Sequence, residues 1–441
     1  MQHKLVLALI VLLYLCIGGL YAVKTPDWQV PDEPAHYNYI RQLAREGRLP
    51  VLEMGDYDQD YLGRLTNERF PAQLPLDVVE YEDWQPPLYY FLTAPIFLLF
   101  DGALLPLRLF SLLLGAGVVV LAFAVAATVF PDRPLVALGT AAFVAFLPQH
   151  VAMMAGVNND SLTELLVATA LLLILVWLRE RRRGAREWLW LLAMGVLLGL
   201  GLITKASFLP IGLTMAFSVL LAWWRDDDRA WRRLVGTLAW VFVPAAVIAL
   251  PWWLRNLATY GGFDIYGMAN HDAVVAEQPR TTDWIETNGL VSWLERWVAF
   301  SFQSFWGQFG WMGVVMPTWL YRALGLWTVI LGTGFVVWLR QARREVHGVV
   351  QRTQLMVLAA VVLFVALTYI YYNSTFVQHQ GRYLFPALIP ISIGVALAIG
   401  GLLDVARVPA KLQPLAFAIP YAAMAVLAVY ALWRLIVPAL A

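Results

Sequence analysis

Long apolar stretches separated by short polar turns run along almost the whole chain. Mostly apolar stretches of about 20 residues, the length that crosses the hydrocarbon core of a bilayer, occur eleven times. The predicted spans cover residues 5–23, 109–130, 135–152, 161–178, 188–204, 206–224, 234–254, 318–339, 354–372, 384–403 and 414–437. The pattern predicts an all-α polytopic membrane protein in which residues 1–441 form a single integral membrane domain.

Two further apolar pieces do not fit this scheme. Segment 87–100 is too short to cross a bilayer, and segment 297–316 is rich in Trp, Phe, Gly and Gln, which is typical of a helix lying at the membrane interface. We predict a half-span or re-entrant helix for 87–100, because a full crossing would invert every later loop. The first apolar run is predicted to be a retained span rather than a cleaved signal peptide, since no small-residue cleavage site follows it.

The distribution of charge predicts the orientation. Three short Arg-rich turns, at 179–187, 225–233 and 340–353, fall on one side of the eleven-span arrangement, and such turns are usually cytoplasmic. This places the N-terminus inside and loops 24–86 and 255–316 outside. The first outer loop carries thirteen Asp and Glu against six Lys and Arg. We expect it to be structured, and the second to contain the interfacial helix.

Composition narrows the possible classes of protein. Of the 441 residues, 60% are apolar and only 14% are charged, whereas soluble domains carry about 25% charged residues. This excludes an ordinary soluble enzyme and a secreted scaffold. A net charge of +1 gives no indication of a nucleic-acid partner, and the single cysteine excludes an intrachain disulfide.

Two adjacent carboxylates stand directly after the first span. Segment 31–36 reads Pro-Asp-Glu-Pro-Ala-His, and the short helix predicted over 33–47 begins there. A helix N-terminus favours negative charge, so ionised Asp32 or Glu33 could accept a proton from a substrate hydroxyl. The structural alternative is that Asp32 only caps the helix.

A second acid follows between two later spans. Segment 158–161 reads Asn-Asn-Asp-Ser, on the predicted outer side. Asp160 could face the same membrane-boundary cavity as Asp32, or the segment could simply cap the helix that begins near Ser161.

Three single cations lie at predicted outer ends of spans: Lys205, Arg255 and Arg382. Any one of them could be an ordinary side chain that extends its charge to the interface. Three on the face that carries two acidic motifs favour a phosphate-binding role, since Arg and Lys both bind phosphate well. Acids for a hydroxyl and cations for a phosphate are typical of transfer from a phosphate leaving group.

Other signals are weaker. Segment 85–90, Gln-Pro-Pro-Leu-Tyr-Tyr, could shape the interface or line a lipid-chain groove. The spacing of Asp56, Asp58 and Asp60 resembles the start of a calcium loop, but the glycine and glutamate that such a loop requires are missing, which favours a solvated acidic turn. The acidic cluster at 226–228 is typical of a charged surface turn, and the histidines show no metal-ligand spacing.

Taken together, these motifs resemble the GT-C superfamily of polyprenyl-phosphate-sugar-dependent glycosyltransferases, near the bacterial protein mannosyltransferase and aminoarabinose transferase branches. Each motif is short, but six of them occur in order. They are Asp32-Glu33, segment 85–90, segment 158–160, Leu-Ile-Thr-Lys at 202–205, Pro-Trp-Trp-Leu-Arg-Asn at 251–256 and Gln-Gly-Arg-Tyr-Leu-Phe-Pro at 380–386. The resemblance implies a GT-C-type fold with about eleven transmembrane helices, re-entrant or interfacial helices and a structured outer first loop.

The resemblance also implies an activity, which is inverting transfer of a sugar from a polyprenyl-phosphate-linked donor to a hydroxyl on a glycan, lipid or protein. It implies a location, the outer face of a bacterial inner membrane. Larger members carry a C-terminal soluble domain that this sequence, ending at Ala441, does not show, which argues against protein acceptors that need such a domain.

Roles for individual residues follow from the same resemblance. Asp32 would be the general base, with Glu33 as its alternative, and Asp160 would position the acceptor or a metal. Some members use a divalent cation, so Mg or Mn held by Asp32 and Asp160 is an open expectation. Arg382, Arg255 and Lys205 would bind the donor phosphate. The remaining expected residues would shape the pocket: His36, Tyr383, Asn159 and Gln380.

Two alternatives stay open at this point. A ligase for polyprenyl-pyrophosphate-linked glycans would use related chemistry with another donor. A transporter or flippase for lipid-linked glycans would need ionisable groups or broken helices near the bilayer midplane, often in two repeated halves. The charges here gather at one boundary, which favours the transferase.

Overall fold

The computed structural model describes residues 2–180, 186–345 and 348–440, without the side chains of residues 342–345. Parts of two Arg-rich turns, at 181–185 and 346–347, therefore lie outside the described residues. The first half of the chain contains helices α1 Gln2–Lys24, α2 Glu33–Glu46, α3 Gln59–Asn67, α4 Leu88–Leu99, α5 Leu104–Val129, α6 Pro134–Phe146, α7 Pro148–Met154, α8 Asp160–Glu180, α9 Glu187–Leu202 and α10 Leu209–Trp224.

The second half is also mainly helical. Its helices are α11 Trp231–Tyr260, α12 Met268–Val274, α13 Thr281–Asn288, α14 Leu290–Trp306, α15 Thr318–Glu345, α16 Val349–Thr375, α17 Leu388–Val405, α18 Gln413–Tyr430 and α19 Val437–Leu440. Short 3₁₀ turns at Ala206–Phe208 and Gly381–Ala387 lead into α10 and α17, and the π-helical segment Ala431–Ile436 joins α18 to α19. Two-residue strands, β1 Gln308–Phe309 and β2 Val314–Val315, pair antiparallel with Gln308 opposite Val315.

The predicted all-α membrane fold is confirmed, with eleven as an approximate count of spans. Within the described residues, nine helices are long and apolar enough to cross a membrane. Predicted span 135–152 is a pair, α6 and α7, bent by 63°, because Pro148 cannot continue the helix and Leu147 before it is extended. Predicted span 188–204 corresponds to α9, which has 16 residues.

Glycines allow long helices to approach each other closely. Helix α15 packs against α17, and a Cβ atom added at Gly334 would lie 2.4 Å from the carbonyl oxygen of Ala398. A Cβ atom at Gly401 would lie 2.7 Å from the carbonyl oxygen of Gly334. Small residues at such a contact let two backbones pack directly in an apolar environment.

Helix α4 begins and ends beside the same helix, α2. The Tyr39 hydroxyl donates to the Gln85 carbonyl just before α4, at 3.1 Å, and the Tyr37 hydroxyl donates to the Gly102 carbonyl just after it, at 2.7 Å. With 12 residues, α4 is shorter than the about 20 that a crossing helix needs, and the half-span or re-entrant arrangement of 87–100 stays a prediction.

The segment expected to be an interfacial helix, 297–316, is only partly helical. It contains the end of α14 and then the hairpin of β1 and β2. Gly307 follows the last residue of α14, and Gly310, with a left-handed φ of 53°, opens the turn of the hairpin. The helix therefore ends at Gly307, and the left-handed Gly310 allows the chain to reverse between the two strands.

The described parts of the three Arg-rich turns meet at one end of the bundle. Glu187 accepts from the Trp177 indole N–H at 3.2 Å and lies 3.5 Å from the Arg233 guanidinium. Arg225 donates to the Val349 carbonyl at 3.1 Å. Because α8 runs 21 residues from Asp160 to this end, Asp160 lies at the opposite end, which we call the site end.

Candidate active site

Asp32 directs its carboxylate at Arg382 instead of capping α2. Its backbone is left-handed, with φ 67°, and its side chain makes no capping hydrogen bond. Oδ2 accepts from Arg382 Nη2 at 2.7 Å, and Oδ1 accepts from the Tyr81 hydroxyl at 2.9 Å. A left-handed non-glycine residue is uncommon, and here it turns the carboxylate away from its own helix.

The environment keeps Asp32 ionised. Burial by itself raises the pKa of Asp32, but the charges of Arg382 and His36 and the hydrogen bonds from Arg382 and Tyr81 outweigh it. The pKa therefore lies below the ordinary value for aspartate.

Glu33 points the other way, into a buried ion pair with Arg108 near the start of α5. Its two oxygens accept from Arg108 Nε at 2.8 Å and Nη2 at 2.6 Å. They also accept from the backbone N–H groups of Trp28 and Val157, each at 3.1 Å. Glu33 is fully buried and all four bonds are structural, so the geometry places it in the scaffold and not beside Asp32 as an alternative base.

A second ion pair joins Asp160 to Lys205, with Oδ1 2.6 Å from Nζ. The capping role expected for this segment belongs to Asn158, whose Oδ1 accepts from the Asp160 N–H at 2.8 Å. Ser161 adds a bond from its hydroxyl to the Asn158 carbonyl, at 2.9 Å. The carboxylate of Asp160 is thereby left to face Lys205.

His36 is buried among these charged groups, one turn along α2 from Asp32. Burial and the charges of Lys205 and Arg382 lower the pKa of His36, Asp32 and Asp160 raise it, and the result is a pKa of about 3. The ring is therefore neutral near pH 7. Its Nδ1 lies 2.8 Å from the Tyr90 hydroxyl, which connects segment 85–90 to the site.

The chain folds tightly around Arg382. A Cβ atom at Gly381 would lie 2.2 Å from the Ser301 carbonyl oxygen, and the Gly381 N–H donates to the Ser304 hydroxyl at 2.7 Å. This contact fixes the 3₁₀ turn against α14. It also explains why the motif has glycine beside Arg382.

Arg382 is buried, with 8% of the residue exposed, and its guanidinium group contacts several neighbouring residues. Its Nε donates to Gln380 Oε1 at 2.7 Å, Nη1 lies 3.8 Å from the sulfur of Met153, and the guanidinium lies 5.5 Å from the centre of the Tyr383 ring. The expected pocket residues Gln380 and Tyr383 therefore hold Arg382 in place.

Asn159 connects three of the sequence motifs. Its Nδ2 donates to Gln85 Oε1 at 3.2 Å and, at 3.4 Å, to the carbonyl of Thr204, the residue before Lys205. Its buried Oδ1 has no hydrogen-bond partner within the described residues. The motifs at 85–90, 158–160 and 202–205 thus converge at the site end.

Arg255 makes its described contacts with residues outside the cluster around Asp32 and Asp160. It donates to the Pro50 carbonyl and, at 3.0 Å, to Asn256 Oδ1, and it lies over the rings of Trp252 and Tyr260 at 4.9 and 5.4 Å. These contacts tie the first loop to the end of α11. They do not bring Arg255 to either carboxylate of the site.

The sequence analysis missed Tyr81 and Glu82. Tyr81 contacts Asp32, and burial together with the nearby charge of Asp32 raises the pKa of Glu82 to about 8, although Lys205 and a bond from Gln85 oppose this. The sequence feature that could have pointed to these two residues is the acidic segment 80–83, Glu-Tyr-Glu-Asp, which lies directly before segment 85–90.

The residues expected to hold a divalent cation do not fit that role well. Asp32 is paired with Arg382 and Asp160 with Lys205, so each carboxylate already has a cationic partner. Across residues 2–180, 186–345 and 348–440, no three His, Cys, Asp or Glu side chains are grouped to hold a metal ion.

The helix arrangement is similar to that of solved membrane proteins. The oligosaccharyltransferase of Archaeoglobus fulgidus, crystallised with a tethered acceptor peptide, is 15% identical, with a TM-score of 0.55 over 99% of this chain and 54% of that one. The archaeal enzyme in complex with an inhibitory peptide and a dolichol-phosphate is 14% identical, with a TM-score of 0.56 over 98% of this chain and 55% of that one.

ArnT from Cupriavidus metallidurans, bound to undecaprenyl phosphate, is 14% identical, with a TM-score of 0.56 over 99% of this chain and 73% of that one. The chain thus spans about half the length of the archaeal enzyme. These likenesses confirm the GT-C-type fold.

The chain belongs to the family described as "Predicted membrane protein (DUF2142)", whose model matches residues 77–391. The matched region includes Asp160, Lys205, Arg255 and Arg382, and it begins after Asp32. Comparison with curated proteins finds no match.

Proposed function

We propose that this protein is a membrane glycosyltransferase that moves a sugar from a polyprenyl-phosphate-linked donor to an acceptor hydroxyl at the outer face of a bacterial cell membrane. The observation that carries the proposal is the Asp32 carboxylate, held between Tyr81 and Arg382 beside the Asp160–Lys205 pair. Two acids and two cations in one partly buried cluster match the needs of transfer from a phosphate. The fold adds support, since the similar archaeal and ArnT structures contain dolichol-phosphate and undecaprenyl phosphate.

Arg382 and Lys205 are the cations proposed to bind the donor phosphate. Each is now paired with a carboxylate, at 2.7 and 2.6 Å. The donor phosphate is a diester with one negative charge shared by two oxygens, which can accept hydrogen bonds from the guanidinium and the ammonium group together, so it would compete for both side chains. It would also bear the negative charge that develops as the sugar leaves, where positioned cations are most effective.

Asp32 is the proposed general base. Its low pKa makes it a weak proton acceptor while Arg382 is bound to it, because a base works best when its pKa lies near the working pH. Movement of Arg382 toward the donor phosphate would withdraw positive charge from Asp32 and raise its pKa. Donor binding would thereby activate the base.

The proposed reaction is a single displacement. The acceptor oxygen bonds to the anomeric carbon as the bond from that carbon to the phosphate oxygen breaks. The hydroxyl proton passes to Asp32, the bond electrons leave with the polyprenyl phosphate, and the configuration at the anomeric carbon inverts.

The test is transfer from radiolabelled polyprenyl-phosphate monosaccharides by the purified full chain, with Asp32→Asn beside the wild type. The expected result is label transfer by the wild type alone. A donor that works only as the pyrophosphate would instead indicate a ligase. Translocation in vesicles without a new glycosidic bond would indicate a transporter.

A further inference from the structure

A cavity of about 330 Å³ lies in the first loop, next to the proposed base. Its wall includes Tyr57, Tyr61 and Tyr81, together with Asp56, Asp58 and Val78. Cavities that bind small ligands start at about this size. We propose that this cavity is an acceptor subsite that binds a sugar unit of an oligosaccharide, an inference that rests on the proposed function.

The chemistry of the wall suits a saccharide. Tyrosine rings offer flat apolar faces that match the C–H faces of a sugar ring. The three hydroxyls already donate within the protein, to Gln59, Pro75 and Asp32, so toward a sugar hydroxyl they can act as acceptors. The rings of Tyr57 and Tyr81 meet edge to face, with centres 5.7 Å apart, so they form a rigid corner.

The two aspartates supply hydrogen-bond acceptors. One oxygen of Asp58 accepts from the Tyr61 N–H at 2.7 Å, and one oxygen of Asp56 accepts from the Glu53 N–H, also at 2.7 Å. These bonds fix the carboxylates, and each second oxygen can accept from a sugar hydroxyl. Asp56 and Asp58, whose spacing resembles the start of a calcium loop, therefore stabilise turns of the first loop through these hydrogen bonds.

The cavity is connected to the reaction centre by one side chain. Tyr81 lines the cavity, and its hydroxyl donates to Asp32 at 2.9 Å. Tyr81 would therefore stand between Asp32 and a sugar unit bound in the cavity. A second, neighbouring sugar unit would be needed to bring a hydroxyl to the base. The acceptor is therefore at least a disaccharide, bound by its penultimate unit.

The first experiment measures binding without any donor. Saturation-transfer NMR on the purified full chain would use maltose, cellobiose, lactose, mannobiose and N,N′-diacetylchitobiose, with a short Ser/Thr peptide as the competing class. Val78 is 50% exposed on the cavity wall, so Val78→Trp should fill the cavity and weaken binding at least tenfold. Met54 is 76% exposed in the same loop and is not part of the wall, so Met54→Trp is the matched control.

Tyr61→Leu provides a second test, because it removes an aromatic face while keeping an apolar side chain. We expect a disaccharide to bind the wild type, Met54→Trp and Asp32→Asn, and to bind Val78→Trp and Tyr61→Leu poorly. Failure of every saccharide to bind, or binding that survives Val78→Trp, overturns the proposal. Binding of the Ser/Thr peptide instead of the saccharides also overturns the proposal.

The two proposals fail in different ways. Binding needs no donor, so a glycosyltransferase with another acceptor site would transfer sugar but show no saccharide signal from this cavity. In the transfer assay, Val78→Trp should raise the KM for the acceptor and leave the KM for the donor unchanged.

Discussion

Asp32 Oδ2 lies 2.7 Å from Arg382 Nη2, although 350 residues separate the two in the sequence. This bond joins the start of the first loop to the turn that leads into α17. It places a carboxylate with a lowered pKa against the cation proposed to bind the donor phosphate. The first predictions concern this pair.

Asp32→Asn should abolish sugar transfer, with a loss of about 10²–10⁴-fold, the range for removal of a general base. The amide keeps the size of the side chain, so donor binding should be largely retained. The measurement is label transfer together with donor binding in the same preparation. Asp77→Asn, an exposed change in the same loop, is the control and should leave transfer unchanged. Substantial transfer by Asp32→Asn would remove Asp32 from the base role.

Arg382→Gln should weaken donor binding and shift the pH dependence of transfer. Arg382 favours the ionised form of Asp32, so its loss raises the pKa of Asp32. Activity that requires ionised Asp32 falls as the pH drops through that pKa, and the fall should begin at a higher pH in the variant. A pH profile of residual transfer at donor concentrations well below the KM, where the rate reports the donor-free enzyme, measures the shift. An unchanged acidic limb would show that Asp32 is not the titrating group.

Glu33→Gln should destabilise the protein rather than disable the chemistry. The carboxylate is fully buried and bonded to Arg108, and removing one member of a buried ion pair costs about 3–5 kcal/mol. Thermal unfolding in detergent should show a larger fall in Tm than Asp32→Asn gives, because both members of the Glu33–Arg108 pair are buried whereas Asp32 is partly exposed. Folded Glu33→Gln that binds donor normally but transfers no sugar would return Glu33 to the list of candidate bases.

Asp83→Asn should reduce the fall in folding stability that the wild type shows as the pH rises from about 4 to about 8. Asp83 is 1% exposed, and burial raises its pKa to about 8 against a bond from Gln42 that lowers it. The folded state therefore holds a proton that the unfolded state has lost, so stability falls as the pH rises across this window. The asparagine cannot ionise, so Tm measured at pH 5 and 8 should differ less in the variant. An equal difference in both proteins would argue against an ionising Asp83.

Transfer should survive EDTA, because both candidate metal ligands already have cationic partners in Arg382 and Lys205. The assay would compare chelated enzyme with enzyme resupplied with Mg or Mn. A loss on chelation that either ion restores would show that a metal displaces one of these cations in the working enzyme.

The sequence by itself determined the class of fold and much of the inventory of the site. Apolar runs of bilayer length are a local property of the chain, so the helices could be predicted one by one. The same holds for the start of α2 at Pro-Asp-Glu-Pro and its end at Gly47, which is left-handed in the structure. Asp32, Asp160, Lys205 and Arg382 could be selected because charge at a membrane boundary stands out in an apolar chain.

Only the tertiary structure decided which of these residues work together. Asp32 and Glu33 are neighbours in the sequence, but a left-handed backbone at Asp32 sends one carboxylate to Arg382 and the other to Arg108. Arg255 lies against Pro50, and Tyr81 reaches Asp32. Such pairings depend on side-chain direction and on contacts between distant segments, and neither property is contained in a local pattern of residues.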